Sequence, residues 1–544
     1  MILVSTLFIA LFITLVTLPM FKSVAVRAHI VDFPNERKVH STPIPKSGGL
    51  AMALGFCVAI LYGLTLDRFA GSVILGSIIL VAMGLVDDRY VIGYRPKFLF
   101  QIAAALVVIF YGGVEIKSLG MLLPVGVDLP LGVSWPLTLL VIVGATNAIN
   151  LADGLDGLAG GITLIIFLCL FALAYQTGDN TIAIMCLAML GALFGFLSFN
   201  TYPASVFMGD AGSQLLGFVS IVLALSITQA NALLCPVLPL LIIGFPIIDT
   251  CIVMVERIKA GRSPFVADHN HFHHKLLSLG LYHTEAVFII YLLQTIYVAC
   301  AYIFRFSSDW FILGLYLIIS GIIITFFHVT HKYSIKFKRY EMIDKVIKGR
   351  LRFLKNRDTI LLLTTVALDI LLPSLMIINC IVVQGLPGYI SVCSLLLVAV
   401  IAFLWGVNKQ IVGSIVRIII YFMIPVIVFF NGEQPYNFFG LSFRMLYLVC
   451  CFICILSALI LARLNRRKGS FQISPMDYLI LIIALSVSPL INTIMNSRQT
   501  EFMIVQILIF FYSFEILFNN RKRARYIVIA TTLITLGILA SKGF

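Results

Sequence analysis

Long apolar runs separated by short polar loops constrain this chain more than any other feature. The 544 residues are 61% hydrophobic and 11% charged, with a mean hydropathy of +1.07. A water-soluble domain cannot bury that much apolar surface. Continuous runs of about 20 apolar residues cross a bilayer as helices, whereas a membrane β-barrel shows short alternating segments. The sequence therefore predicts an all-α polytopic membrane protein.

The apolar runs correspond to about 18 transmembrane helices. They lie near 1–21, 48–65, 71–86, 98–112, 136–149, 160–176, 181–199, 212–229, 232–252, 286–304, 310–330, 359–378, 389–406, 411–430, 441–462, 476–495, 502–518 and 525–541. Lysine and arginine concentrate in the loops after odd-numbered spans, which predicts that these loops are cytoplasmic. Because the net charge of +14 is spread over many short loops, we expect no nucleic-acid partner.

Polar motifs divide the chain into three parts. All the dense motifs lie within residues 1–330, which we interpret as one membrane domain. Residues 331–358 form a basic cytoplasmic linker, for which contact with anionic lipid is a sufficient explanation. Residues 359–544 add about seven apolar runs with few charges and no legible motif, so their role is open.

Adjacent carboxylates end the third predicted span, in "GLVDDRY". Asp87 and Asp88 repel one another unless a metal or another cation shares them, or one stays protonated. Lys97 follows in the next loop and is a candidate for that cation. A solvated helix end explains one aspartate more readily than two.

The stretch "NAINLADGLDGLAGG" places four polar side chains between two apolar runs. Asn147, Asn150, Asp153 and Asp156 recur at intervals of three, which keeps them near one face if the helix continues. The accompanying glycines permit close backbone approach or a break in the helix. Oxygen donors of this kind suit Mg²⁺, whereas a simple helix cap and turn explains one aspartate only.

The stretch "VFMGDAGSQLLGF" opens the eighth predicted span. Its turn could present backbone N–H groups to an anion, and Asp210 could hold a metal or simply cap the helix. Phe207 is a candidate for stacking on a planar base. These interpretations are compatible with one another.

Two basic or histidine-rich loops complete the set. In "DHNHFHHKLL", His269, His271, His273 and His274 indicate a phosphate or metal site, and phosphate is favoured because no cysteine accompanies them. A solvated, pH-sensitive loop is the alternative. The first loop contributes the basic residues Arg37, Lys38, His40 and Lys46. Orientation in the membrane and binding of a phosphorylated lipid explain these equally well.

The five motifs, taken in their order along the chain from the first loop to the histidine loop, resemble the polyprenyl-phosphate N-acetylhexosamine-1-phosphate transferases, the WecA/MraY-like family. The resemblance covers residues 1–330, and the histidine loop is closer to the WecA-like branch. It implies a bundle of ten or eleven helices in the bacterial inner membrane, with its active site on the cytoplasmic face. The implied reaction moves sugar-1-phosphate from a UDP-sugar to undecaprenyl phosphate and releases UMP. This step initiates a cell-envelope glycan such as O-antigen, and it requires Mg²⁺, with Mn²⁺ as an alternative.

The resemblance also assigns roles. Asp87 and Asp88 would deprotonate or position the lipid phosphate, and Asp210 with Asn150 would hold the metal. The remaining residues would bind substrate: Lys46 and Lys97 at phosphate, Phe207 on uracil, Asn147, Asp153 and Asp156 in the nucleotide pocket, and His271, His273 and His274 at the pyrophosphate. Val91 stands where some members carry a third aspartate, and Asp249 is an intramembrane acid without an assigned role.

Other functions remain open at this point. A cation-coupled transporter would also place carboxylates in a membrane, although near the bilayer midplane and often within inverted repeats. A noncatalytic scaffold of an envelope assembly complex would need none of the aspartates. The sequence does not identify the sugar or the glycan pathway. It also leaves open the oligomeric state, with a homodimer among the options, and the choice between one displacement and two.

Overall fold

A computed structural model describes the chain at residues 2–33, 43–90, 92–124, 127–261, 263, 271–333, 357–383, 385–407, 409–432, 440–464, 506–507, 509–514, 516–517 and 522–542. These residues form two compact units, one up to residue 333 and one from residue 357 onward. The division falls at the predicted linker 331–358, most of which lies outside the described residues. The roles assigned to the predicted domains stay predictions.

The first unit is a helical bundle with one small β-ribbon. Its helices are α1 (Ile2–Arg27), α2 (Gly48–Gly63), α3 (Arg68–Tyr90), α4 (Tyr94–Phe110), α5 (Leu131–Ala152), α6 (Leu158–Thr177), α7 (Asn180–Asn200), α8 (Gly209–Ala230), α9 (Leu238–Ile242), α10 (Gly244–Lys259), α11 (Phe272–Ser278), α12 (His283–Ile303) and α13 (Asp309–Lys332). The ribbon pairs β1 (Val31–Asp32) antiparallel with β2 (Ile44–Pro45). A 3₁₀ turn at Gly120–Leu122 lies between α4 and α5.

The second unit contains α14 (Arg357–Val382), α15 (Gly388–Val407), α16 (Lys409–Gly432), α17 (Gly440–Leu464) and α18 (Lys522–Ser541). Buried polar side chains join its helices in pairs. Asn379 Nδ2 donates to Tyr447 Oη at 2.9 Å, linking α14 to α17. Ser391 Oγ donates to the carbonyl of Leu539 at 2.8 Å, linking α15 to α18.

Ten of the described helices are long and apolar enough to cross a membrane. The predicted class, an all-α polytopic membrane protein, is confirmed. The predicted number of about 18 spans is not confirmed. The run 476–495 lies outside the described residues and 502–518 lies mostly outside them, while α2 and α4 are only 16 and 17 residues long.

The predicted single span 232–252 is wrong. The chain there forms the five-residue helix α9 and then α10, with a turn at Ile243 between them. Gly244, the first residue of α10, permits close packing on α12, because a Cβ at this position would lie 2.5 Å from the ring of Tyr297. α10 then continues to Lys259, which carries its last turns beyond the predicted end.

Helix α8 is the centre of the first unit, and 94% of an 18-residue apolar stretch of this helix is buried. Two neighbours approach its N-terminal end at backbone contact. A Cβ at Gly84 of α3 would lie 2.3 Å from the backbone of Ala211, and one at Gly49 of α2 would lie 2.2 Å from the N of Gly212. Small residues permit such close helix packing in membranes. The packing brings the end of α3 and the start of α2 to the first turn of α8.

Candidate active site

Asp88 caps helix α8 from a distant part of the chain. Its side chain is fully buried, Oδ1 accepts the backbone N–H of Asp210 at 3.1 Å, and Oδ2 accepts that of Ala211 at 3.5 Å. The carboxylate therefore occupies the positive end of the helix dipole. Gly209 makes room for it, since φ is +67° there and a Cβ would lie 2.1 Å from Asp88 Oδ2. One interpretation of the sequence made Asp210 the cap of α8, but in the structure Asp88 takes that place.

Lys97 lies between two carboxylates from different helices. Its Nζ is 2.8 Å from Asp87 Oδ2 and 2.5 Å from Asp210 Oδ2. The sequence analysis considered Lys97 as the cation shared by Asp87 and Asp88, whereas in the structure Lys97 lies between Asp87 and Asp210. Asp87 Oδ1 also accepts the backbone N–H of Ile92 at 2.7 Å, which holds the turn between α3 and α4.

Lys46 supplies the second cation of the site. Its Nζ lies 3.4 Å from Asp88 Oδ1 and 3.9 Å from Asp32 Oδ1. Backbone pairing fixes its position, because Lys46 and Phe207 form a parallel bridge and the N–H of Phe207 donates to the carbonyl of Pro45 at 2.9 Å. This bridge places the half-exposed Phe207 beside Lys46. Arg37, Lys38 and His40 lie outside the described residues.

The motif "NAINLADGLDGLAGG" breaks instead of continuing as a helix. Helix α5 ends at Ala152, Asp153 is its C-terminal cap, and Gly157 adopts φ +79° before α6 begins. Asn147 and Asn150 therefore share a face of α5, whereas Asp153 and Asp156 do not. Asn150 Nδ2 donates to Ser213 Oγ in α8 at 2.7 Å, which joins α5 to the helix that bears Asp210.

Asp156 holds the loop that leads into α8. Its Oδ2 accepts the backbone N–H of Ala204 at 2.9 Å, and its own N–H donates to His283 Nε2 at 3.1 Å. Next to it, Asn200 Oδ1 accepts the N–H of Gly157 at 3.0 Å, and Tyr291 Oη donates to the carbonyl of Gly157 at 2.6 Å. These contacts hold the turn before α6 against its neighbours. The place of Asp156 in a nucleotide pocket stays a prediction.

The histidine loop is held by Asp249. Its Oδ1 accepts the backbone N–H of Phe272 at 2.8 Å and its Oδ2 lies 3.0 Å from His271 Nδ1. A carboxylate partner makes Nδ1 the protonated ring nitrogen and leaves Nε2 for another ligand. His273 packs on Gly154, where a Cβ would lie 2.2 Å from its Nε2, so the loop meets the turn after α5. The rings of His273 and His274 are 4.2 Å apart, and His269 lies outside the described residues.

Electrostatics outside the membrane spans agree with this crowding of carboxylates. Burial would lower the pKa of Lys46, but Asp88, Asp32 and Asp210 outweigh it and raise that pKa. Burial, with the carboxylates of Asp210 and Asp88 nearby, raises the pKa of Asp153 to about 7. Burial, reinforced by His274, lowers the pKa of His273 to about 3, which keeps this imidazole neutral. Asp153 is thus close enough to the carboxylates of Asp210 and Asp88 for them to affect its pKa.

The donor atoms at this site are the kind that Mg²⁺ accepts. Asp87 and Asp210 share one cation, and Asn150 directs its amide nitrogen to Ser213, which leaves its carbonyl oxygen as the donor. Among the described residues no three acidic, histidine or cysteine side chains close around a single ion. Mg²⁺ does not need such a cage, because it usually takes one or two carboxylates and completes its shell with water and phosphate.

Comparisons with known proteins identify this arrangement. Residues 70–228, which include the ends of α3, α5 and α8 that build the site, match the model of glycosyl transferase family 4. A Bacillus subtilis protein named "Probable undecaprenyl-phosphate N-acetylglucosaminyl 1-phosphate transferase" is 33% identical over 344 residues, which cover 63% of this chain and 96% of that protein. The chain belongs to the WecA/MraY-like family of polyprenyl-phosphate sugar-1-phosphate transferases.

Further relatives carry similar names. An Escherichia coli K12 family member, an undecaprenyl-phosphate alpha-N-acetylglucosaminyl 1-phosphate transferase, is 32% identical over 58% of this chain and 88% of its own length. A Mycobacterium tuberculosis decaprenyl-phosphate N-acetylglucosaminephosphotransferase is 35% identical over 50% of this chain and 74% of its own length. The resemblance inferred from the five motifs is therefore confirmed.

The structure gathers most of the predicted site residues at one end of the first unit, which we call the carboxylate end. The predicted residues that ion pairs, hydrogen bonds or backbone pairing hold there are Lys46, Asp87, Asp88, Lys97, Asn150, Phe207 and Asp210. Sequence reasoning missed the supporting contacts of His283 and Asn200, which no motif marks. It singled out Asp249 as an intramembrane acid, and the structure supplies its partner.

Proposed function

We propose that this chain transfers N-acetylhexosamine 1-phosphate from a UDP-sugar to undecaprenyl phosphate, giving the lipid diphosphate sugar and UMP. The observation that carries the proposal is the cluster of Asp87, Asp88, Asp210 and two lysines, built from four separate segments within a family of this activity. We place the reaction on the cytoplasmic face of the bacterial inner membrane, where the Lys- and Arg-rich loops would lie. N-acetylglucosamine is the first donor to test, and O-antigen or another envelope glycan would be the product pathway.

The chemistry brings two anionic phosphates together. An oxygen of the lipid phosphate attacks the phosphorus that bears the sugar, and the bond from that phosphorus to the oxygen of UMP breaks. Lys46 and Lys97 offset the accumulated negative charge, and fixed positive groups that meet charge in the transition state provide much of such catalysis. Asp87, whose carboxylate is held beside Lys97, receives the proton of the lipid phosphate or orients it.

Mg²⁺ is the proposed cofactor, and Asp210 and Asn150 would hold it. When bound, the ion would neutralise the diphosphate and stabilise UMP as the leaving group. Asp88 keeps the first turn of α8 in place and so orients Asp210. His271, oriented by Asp249, and neutral His273 are available as N–H donors or acceptors to the diphosphate, while Phe207 offers a ring for the uracil.

Transport and a scaffold role are less favoured. A cation transporter would hold its acids near the bilayer midplane. Here Asp87 and Asp88 belong to the last turn of α3, and Asp210 belongs to the first turn of α8. A scaffold role does not by itself account for three carboxylates and two lysines gathered around the first turn of one helix.

Purified full-length protein in detergent tests the proposal. Undecaprenyl phosphate, Mg²⁺ and a panel of UDP-sugars are supplied, and UMP release is followed for the wild type and for the Asp210→Asn variant. We expect release with one N-acetylhexosamine donor, and loss of release in the variant and after chelation by EDTA. If the wild type binds labelled UDP-sugar but releases no UMP with any donor, the proposed reaction is wrong.

A further inference from the structure

A buried pair of glutamines lies one helical turn below the ion pair of the site. Gln101 follows Lys97 by four residues on α4, and Gln214 follows Asp210 by four residues on α8. Residues four apart share a helix face. The two helices are therefore joined twice, first by Lys97 and Asp210 and then, deeper in the unit, by Gln101 Nε2, which donates to Gln214 Oε1 at 3.5 Å.

This amide pair is incompletely satisfied. Gln101 is 3% exposed and Gln214 is 0% exposed, and the hydrogen bond between their side chains has the long distance of a weak one. Gln101 Oε1 and Gln214 Nε2 have no hydrogen-bond partner among the described protein groups. Turning both amides over exchanges their roles but again leaves one acceptor and one donor without a partner.

Stability does not explain the pair. A buried polar atom without a partner destabilises a fold, and two apolar side chains of the same shape would avoid that cost. The loss is greater where no bulk water reaches the atoms, as inside a membrane protein. Buried polar groups of this type in native proteins call for an explanation such as an ordered water molecule or a functional role.

We propose that Gln101 and Gln214 are positioning residues that hold Lys97 and Asp210 in register for metal and phosphate binding. The donor and the acceptor left over complement one water molecule, which accepts from Gln214 Nε2 and donates to Gln101 Oε1. Its second hydrogen is then available to the carboxylate of Asp210 one turn above. The proposal rests on the proposed function, because it assigns the pair to the metal-binding and phosphate-binding groups of that site.

Double substitution by methionine tests the pair, because Met keeps the length and approximate volume of Gln without its amide. The Q101M/Q214M variant should melt at or above the wild-type temperature, because it removes two unpaired polar atoms. Its kcat should fall at least tenfold, and its Kd for Mn²⁺, measured by electron paramagnetic resonance without substrates, should rise at least threefold. A purely structural pair would not produce this combination of an unchanged or higher melting temperature with a lower kcat and weaker Mn²⁺ binding.

Ser220→Ala is the matched control. Ser220 lies deeper in α8, is 0% exposed, and has an Oγ without a partner among the described groups. This variant should also keep or raise the melting temperature, with kcat and Mn²⁺ affinity unchanged. A stable double-Met variant with wild-type kcat and Mn²⁺ affinity would overturn the proposal, and so would a fall in melting temperature that parallels the loss of activity. If the wild type transfers no sugar, the proposed function fails, but the Mn²⁺ affinities still decide this inference.

Discussion

The two ends of helix α8 use polar side chains in different ways. At the carboxylate end, acids and lysines from separate segments pair with one another, as Lys97 does with Asp87 and Asp210. At the far end, polar side chains mainly satisfy backbone groups: Gln229 Oε1 accepts the N–H of Lys117 at 3.0 Å, and Asp309 Oδ2 accepts that of Met121 at 2.8 Å. Backbone satisfaction is what any loop in a bundle requires. Concentrated charge is not a requirement of such loops, and it distinguishes the end at which we propose that the chemistry takes place.

Removing one acid at each end of α8 is the most direct test of this difference between the two ends. Asp210→Asn should lower kcat by about 10³-fold, because the carboxylate that pairs with Lys97 and would hold the metal is lost. Asp309→Asn should leave kcat within about twofold and lower the melting temperature by about 2–4 °C, since it weakens only contacts with the backbone of Met121 and the thiol of Cys235. UMP release and a thermal melt check both. Similar losses of kcat in the two variants would show that charge pairing does not distinguish the ends.

Lys97 sharpens the comparison, because its ammonium group shares the carboxylates with the proposed metal. Lys97→Met should lower kcat by about 10²-fold through loss of the positive charge near phosphate. The same change should tighten Mn²⁺ binding in the absence of substrates, because the competing cation is gone. Lys117→Met, at the far end, is the control for removal of a lysine and should change neither quantity. Weaker Mn²⁺ binding by the Lys97→Met variant would contradict this account.

The Asp249→Asn variant tests whether a residue that orients the histidine loop affects binding of the UDP-sugar. In the Asp249→Asn variant, His271 loses the partner that orients its ring, so KM for the UDP-sugar should rise about tenfold with a smaller change in kcat. Glu256→Gln is the control, because Glu256 pairs with Lys275 at 2.7 Å on the same two helices, α10 and α11, without touching His271. Equal effects of the two substitutions would assign Asp249 to general packing.

Asp153 gives the smallest effect and one that depends on pH. Its pKa is raised to about 7, so the protonated carboxyl favours the fold at low pH and this contribution is lost as pH rises toward 7 and above. The Asp153→Asn side chain stays neutral. In EDTA, the melting temperature of the variant should therefore exceed that of the wild type by about 2–4 °C at pH 8, with little difference at pH 4. A constant difference across this range would show that Asp153 does not titrate near neutrality.

Much of this molecule could be predicted from local pattern. Apolar runs predicted the helices because the hydrophobic length needed to cross a bilayer is a local property. The ends of α3, α5 and α8 were recognised as one site because five polar motifs in a fixed order are hard to obtain by chance. Local pattern failed between residues 232 and 259, where the apolar run is divided between α9 and α10 and Gly244 packs closely on Tyr297 of another helix.

The tertiary structure alone decided how the charges are shared. Spacing suggested that Asp87 and Asp88 act as a pair, yet Asp88 caps α8 and pairs with Lys46 while Asp87 shares Lys97 with Asp210. The sequence by itself determined which residue types are present and which runs are long and apolar enough to cross a membrane. Partners separated by more than 100 residues are chosen by helix packing, and here the contacts of Gly49 and Gly84 with α8 place them. Electrostatic energy depends on distances that only this packing sets.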